Sequence, residues 1–359
     1  MKRLLFCLLI LYFSTTPIWG SESAYSYVPG SVFAFATVDA ERVIKEFFQF
    51  LNDENSQAGT LNQIYNKVFE KLATPLPEPH RSRGYFGDLS DSLKALQDPR
   101  IGHIIKKCHF FLLPGIVENQ QSPDYFIVIL EGQFEMARLR YFAERNNKGN
   151  VKPLHYMNFR GIEVHPGKDD TKGTISWAVK IGDTLMIGSK NLLSDVLKNK
   201  QKRPFFERKR FSSKPIKEWQ AKKPYLVFYG RRHRRKAPYR WCLGGLDEDY
   251  MDIRVKMSSS KEVVKYVKNM NMRKDDALRI ISGFESSKMI PVTDVSMKGF
   301  AEARRFFENF TVTDKKKGRV LIRVKNPGMN GFCHILGGFG DFLLSGWVKA
   351  AQMQKKGEL

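Results

Sequence analysis

Residues 159–198 read FRGIEVHPGKDDTKGTISWAVKIGDTLMIGSKNLLSDVLK. Three short runs, 159–164, 174–179 and 184–188, are separated by turns rich in Gly or Asp, the pattern of strands. Ile181-Gly182-Asp183 is the turn of a hairpin between the last two, which sets Trp177 near Leu185. Apolar residues at helical spacing in 191–198 close the module with a helix. Just upstream, 125–130 (YFIVIL) is a buried-type strand. A helix over 134–145 follows it through Met136, Leu139, Tyr141 and Phe142. The order β-α-β-β-β-α argues an α+β fold with a mainly antiparallel sheet, rather than a doubly wound parallel one.

The pattern extends outward in both directions. Residues 31–38 (SVFAFATV) alternate as a strand, and Asp39 is placed to cap a helix over 40–51. A second helix fits 61–72, and the three prolines of 74–84 make a loop. The later half predicts strands over 225–229 and 252–257, helices over 261–269 and 275–285, then β-α-β over 292–297, 300–307 and 320–324. Phe47-Phe48 and Phe306-Phe307 each sit late in a helix that follows a strand, which suggests duplication. We therefore expect two related lobes, 24–200 and 224–359, joined by a basic linker over 201–223. Residues 335–350 hold Asp341 and four glycines, so they read as a helix packed on the domain and not as a membrane span.

The first 20 residues have the order of a secretory leader: Lys2-Arg3, an apolar run over 4–13, then Pro17 to Gly20. The expectation is an exported chain, in the periplasm or outside the cell, associated with the envelope. Cys7 would leave with the leader, and Cys108, Cys242 and Cys333 would remain, enough for at most one internal disulfide.

The formal charge is +23, and much of it is concentrated. Between Lys198 and Arg240 stand seventeen Lys or Arg against Glu207 and Glu218. Lys209, Arg210, Arg231, Arg232, Arg234, Arg235 and Lys236 are the candidate contact residues for an anionic partner, interleaved with Phe205, Phe206, Phe211, Trp219 and Tyr239. A field of this kind attracts polyanions and weakens as salt rises. Aromatics beside cations suit an anionic lipid surface, with the rings at headgroup level. They also suit single-stranded nucleic acid.

The segment VPGSVFAFATVDAERV (28–43), with FRGIEV and WAVKIGDTLMIGSKNLLSDVL later, resembles exported bacterial proteins of a domain class with no assigned function. Members of that class open with a Pro-Gly or Pro-Ala turn, a strand ending in Val-Asp and a helix. They later show an x-Gly-x-x-Ile/Val strand and an Asp-x-Leu-Val/Met-Ile-Gly-Ser hairpin followed by a helix. The resemblance covers about half of the chain in scattered pieces. It implies a bacterial envelope protein with α+β repeats and carries no site residues across.

Motifs for chemistry are sparse. Cys108-His109 and Cys333-His334 are adjacent pairs, which a strand would point to opposite faces, so a thiol would need a histidine from elsewhere. His103 and His109 lack metal-ligand spacing. Asp247, Glu248, Asp249 and Asp252 lack the turn glycine of a calcium loop and are expected to lie against Arg231 to Arg240. The Gly337–Gly340 cluster has no strand-to-helix context or following Gly-Lys-Ser/Thr, so it reads as helix packing or a bend. Asn309-Phe310-Thr311 is a glycosylation sequon, meaningful only in a eukaryotic secretory route. No cofactor or metal site is expected, and no catalytic residue is assigned. The reading is an envelope binding or structural protein with a basic contact surface. The alternatives are a cysteine-dependent hydrolase using Cys333 or Cys108 and an extracellular nucleic-acid binder.

Overall fold

The computed structural model describes residues 23–52, 103–113, 126–146, 150–166, 175–208, 216, 218–219, 222–232, 238–315 and 318–356. The expected leader, the helix over 61–72 and the loop over 74–84 lie outside the described residues.

The fold is α+β. Twelve strands are β1 (Ala34–Asp39), β2 (His103–Leu112), β3 (Phe126–Phe134), β4 (Val151–Tyr156), β5 (Phe159–Val164), β6 (Ser176–Ile181), β7 (Thr184–Ser189), β8 (Leu226–Arg231), β9 (Tyr239–Leu246), β10 (Tyr250–Met257), β11 (Thr311–Lys315) and β12 (Arg319–Lys325). Among the described residues, the longer helices are α1 (Ala40–Asn52), α2 (Met136–Asn146), α3 (Lys190–Lys198), α4 (Ser260–Glu285), α5 (Asp294–Glu308) and α6 (Gly328–Lys356). All twelve strands form one antiparallel sheet in the order β11-β12-β10-β9-β8-β1-β2-β3-β7-β6-β5-β4. The first strand is near its centre, with β2 on one side and β8 on the other, so the sheet runs unbroken through both halves of the chain.

Local signals explain many of the element boundaries. Asp39 accepts a hydrogen bond from the Arg42 backbone N–H at 3.1 Å and caps α1 as its sequence suggests. Ser189 does the same for α3, and Thr293 for α5. Gly182 takes φ 58° in the β6–β7 turn, a conformation that glycine enters without cost. That two-residue turn sets the register: Trp177 pairs with Gly188, and Leu185 with Lys180. Trp177 and Leu185 therefore face opposite sides of the sheet and belong to different cores, not to one cross-strand pair.

Other expectations change. Residues 260–285 form one helix instead of two, because no Gly or Pro interrupts them before Gly283. Lys274 fastens that helix by donating to the Glu308 and Phe310 carbonyls. Residues 294–297 are the first turn of α5, not part of a strand, since Thr293 caps them and Asp294 suits a helix N-terminus. Strand β4 joins the first module despite Pro153, at the sheet edge where a missing N–H is tolerated. Strands β2, β9 and β11 were also not marked by their composition.

Two faces result. On the front, Phe35, Phe111, Ile127, Ile129, Trp177 and Val179 are covered by residues 24–28, by α3 and by Phe205, Ile216 and Trp219. On the back, α2 covers one end of the sheet through Leu139 and Ala143, and α4 covers the other through Val263, Tyr266, Val267 and Met270. Helices α5 and α6 cross at Gly299 and Gly338, and Phe300 and Phe342 pack beside the crossing with Ile281 of α4. Gly338 of the α6 glycine cluster thus serves helix packing. Among the described residues, no helix is long and apolar enough to cross a membrane.

Candidate functional site

Period-two alternation sends one side of β10, β11 and β12 to the back core and the other to the front. Val255, Val320 and Ile322 are buried behind. In front stand Arg254, Lys256, Arg319, Arg323, Lys325 and Lys315, all exposed except the half-buried Lys256. Among the described residues, front cover on this half ends near Trp219, whose ring lies against Gly245 of β9.

Register turns these cations into a row. Lys315 pairs with Arg319, Arg319 with Lys256, Lys256 with Trp241, and Trp241 with Arg231. Five adjacent strands therefore present Lys-Arg-Lys-Trp-Arg side by side. At roughly 4.8 Å between strands, the row is about 19 Å long. Like charges directly opposite one another destabilise a sheet, and no acid occupies the row. Acids stand away from the row: Asp252, four residues from Lys256, takes a bidentate hydrogen bond from Arg323 at 2.7 Å on both oxygens, and Glu218 lies 3.9 Å from Arg254. Arg323 also stacks over the Tyr250 ring, 4.9 Å from its centroid.

Of the residues named from sequence, Arg231 ends the row, and Arg232 is exposed beside it with its backbone N–H donating to Arg240 O at 2.9 Å. Lys209, Arg210, Arg234, Arg235 and Lys236 lie outside the described residues. The fold brings to Arg231 a set that sequence reasoning missed: Lys256, Arg319 and Lys315. Their signal was present in YMDIRVKM and RVLIRVK, where cations alternate with buried apolar residues.

The acidic segment also finds other partners than expected. Asp247 lies 3.4 Å from Lys222 and accepts from the backbone of Asp249 and Tyr250. Glu248 pairs with Arg42 of α1 and so ties the second half to the first, while Asp252 pairs with Arg323 on the neighbouring strand.

A second polar site lies on the front face where β1, β2, β3 and β8 meet. A cavity of about 490 Å³ is lined by Thr37, His109 and Glu131 with Lys107, Lys223 and Phe206. Thr37, His109 and Lys107 point the same way as Phe35 and Phe111, since Thr37 pairs with His109 and Lys107 with Glu131. His109 is only 4% exposed. Its Nδ1 lies 3.0 Å from Thr37 Oγ1 and its Nε2 3.2 Å from Glu131 Oε1. The Tyr25 hydroxyl donates to the same Glu131 oxygen. The His109 contact holds the Glu131 carboxyl down at about 2, helped by Tyr25 and opposed by burial. Burial, and then the carboxylate, push the Tyr25 phenol well above its ordinary range.

Cys108 points to the back, away from His109, as a strand requires. Burial pushes its thiol up to about 11, and burial raises the Cys242 thiol too. A nucleophilic cysteine needs the opposite shift. Both thiols are free. Among the described residues, no three His, Cys, Asp or Glu side chains are placed to hold a metal ion.

No family model matches this chain, and no curated protein does. A solved structure described as crystal form I of TP0453 is similar over 89% of this chain and 98% of its own, with a TM-score of 0.36 and 8% identity. A likeness at that level carries no argument about fold or function.

Proposed function

We infer that this chain is an exported envelope protein that rests on an anionic lipid surface through the cationic row on the front face of β8 to β12. The cross-strand row Lys315, Arg319, Lys256, Trp241 and Arg231 carries the reading. A sheet face holds these side chains on a rigid grid, so their charges act together on a planar partner. Each cation near an anionic leaflet contributes about 1 kcal/mol, and Trp241 offers a ring suited to headgroup depth. The leader-like first 20 residues support export, and the basic segment 198–240 adds to the same field.

The test is sedimentation of the chain from Ser21 onward with phosphatidylcholine vesicles, with and without phosphatidylglycerol, across a salt series. We expect binding only to the anionic vesicles, falling as salt rises. Replacing Lys315, Lys256, Arg319 and Arg231 together with Ser removes about 4 kcal/mol, a loss of roughly a thousandfold. Replacing Arg232, Arg234, Arg235 and Lys236 separately measures what the adjoining segment adds. Equal binding to neutral vesicles, or an unchanged affinity in the four-residue variant, would refute the reading. Displacement by single-stranded DNA would transfer the row to a nucleic-acid partner.

A further inference from the structure

We propose that the central cavity is an acyl-transfer site for short-chain carboxylic esters, with Thr37 Oγ1 as nucleophile and His109 as its base. The argument starts from order along a hydrogen-bonded chain: hydroxyl, imidazole, carboxylate. Thr37 Oγ1 is 3.0 Å from His109 Nδ1, and His109 Nε2 is 3.2 Å from Glu131 Oε1. A nucleophile within reach of a base, with the base oriented by a third group, is the arrangement that activates a hydroxyl.

The tautomer follows from the neighbours. Glu131 is held ionised, so it can only accept, and it already accepts a hydrogen bond from the Tyr25 hydroxyl. In the neutral ring, His109 therefore carries its hydrogen on Nε2. The Nδ1 lone pair then faces Thr37 and is free to take the hydroxyl proton. Rings from Tyr25, Phe206 and Phe111 surround the imidazole at 5.3, 5.6 and 6.4 Å between centroids, which restricts its rotation. A network that served only to tie strands together would need no space beside it. Here the hydroxyl and the imidazole line a cavity of about 490 Å³, within the range of small-molecule pockets.

The walls indicate the substrate. Phe206, Pro224 and Val227 give an apolar side, while Lys107 and Asp39 together with Lys223 and Glu131 give balanced charge. That lining favours a small neutral ester over a polyanion. Lys223 holds φ 48° at the edge of the cavity, an uncommon backbone for lysine, and its carbonyl accepts from Arg42 Nη1 at 3.0 Å. Such positions persist where surrounding structure demands them and gather at functional sites.

The chemistry balances with water as the second reactant. Thr37 Oγ1 bonds to the ester carbonyl carbon, and its proton passes to His109 Nδ1. The carbon–oxygen bond to the alcohol breaks, and the leaving alkoxide takes that proton. Water then attacks the acyl-threonine, giving one proton to His109 and releasing the carboxylic acid as the threonine oxygen is reprotonated. Glu131 stabilises the imidazolium in both halves without taking the proton.

The experiment exposes the native chain to an alkyl fluorophosphonate, whose phosphorus would bond to the nucleophilic oxygen with loss of fluoride, and maps the adduct by peptide mass spectrometry. In parallel, p-nitrophenyl butyrate hydrolysis is measured for the native protein, Thr37→Val and Thr37→Ser. We expect an adduct on Thr37, loss of at least a hundredfold in turnover for Thr37→Val, and recovery in Thr37→Ser. Thr37→Val keeps the side-chain shape, and the labelling arm needs no variant. An unlabelled Thr37 in the folded protein, or hydrolysis by Thr37→Val at the native rate, would overturn the proposal. Neither result depends on vesicle binding.

Discussion

Gly299→Ala is expected to destabilise the protein by about 2 kcal/mol, against the usual helical preference for alanine. In isolation, that change stabilises a helix by about 1 kcal/mol. In this fold a Cβ at position 299 would lie 2.5 Å from Gly338 Cα, 2.5 Å from His334 O and 2.9 Å from Gly338 N. All three are backbone atoms of α6, so no side chain can swing away. Relief to an ordinary contact requires α5 and α6 to part by about 1 Å, enough to forfeit a quarter to a half of each dispersion contact along the seam. The contacts affected include Phe300, which is fully buried, with ring centroids 5.2 Å from Phe339 and 5.4 Å from Phe342. Overpacking of this kind costs about 1–3 kcal/mol, and the loosened Phe300 contacts add to it, so the loss exceeds the propensity gain. Gly283→Ala in α4 is the matched control: nothing lies within 4 Å of its added Cβ, and it should gain about 0.5–1 kcal/mol. Urea unfolding followed by circular dichroism reads both. A Gly299→Ala midpoint at or above the native one would show that the helices do not cross in this register, and the reasoning would fail.

Two further outcomes follow from the titratable groups. The folded Glu131 carboxyl lies below its unfolded value, so its contribution is present above about pH 4–5 and is lost as pH falls toward 2. With the side chain 31% exposed, screening limits that contribution to about 1–2 kcal/mol. Glu131→Gln should flatten the acid limb of a stability-versus-pH curve by that amount, and an unchanged slope would contradict the assignment. Cys108, with its thiol near 11, should react with a disulfide reagent at pH 8 at least a hundredfold more slowly in the folded protein than in urea. Rapid labelling of Cys108 in the folded chain would instead revive a cysteine nucleophile.

Elements were legible in sequence where the deciding interactions are local. The Asp39 cap, the Gly182 turn and the three short turn-separated runs of β5 to β7 each depend on a few neighbouring residues, and the structure carries all three. The α+β class followed from their order. The single helix over 260–285 and the cap at Thr293 were equally local, and there the cues lay in the absence of a breaker and in a Thr-Asp start. Strands β2 and β9 were harder: KKCHFF mixes charge into a strand that is polar in part on its buried side, and WCLGGL has glycines where Phe228 and Trp219 press on it.

Both candidate sites belong to the tertiary structure. Basic composition alone raised the expectation of an anionic partner and marked a local cluster near Arg231, but not which other cations would stand beside it. Lys315, Arg319, Lys256, Trp241 and Arg231 come from five strands, and only their register makes them one row. Thr37, His109 and Glu131 likewise belong to three strands aligned by pairing. Sequence determines which side chains alternate to a face, because that depends on the backbone's period of two. Which faces adjoin depends on strand order and register, set by the burial of the whole sheet, and no local stretch of sequence contains it.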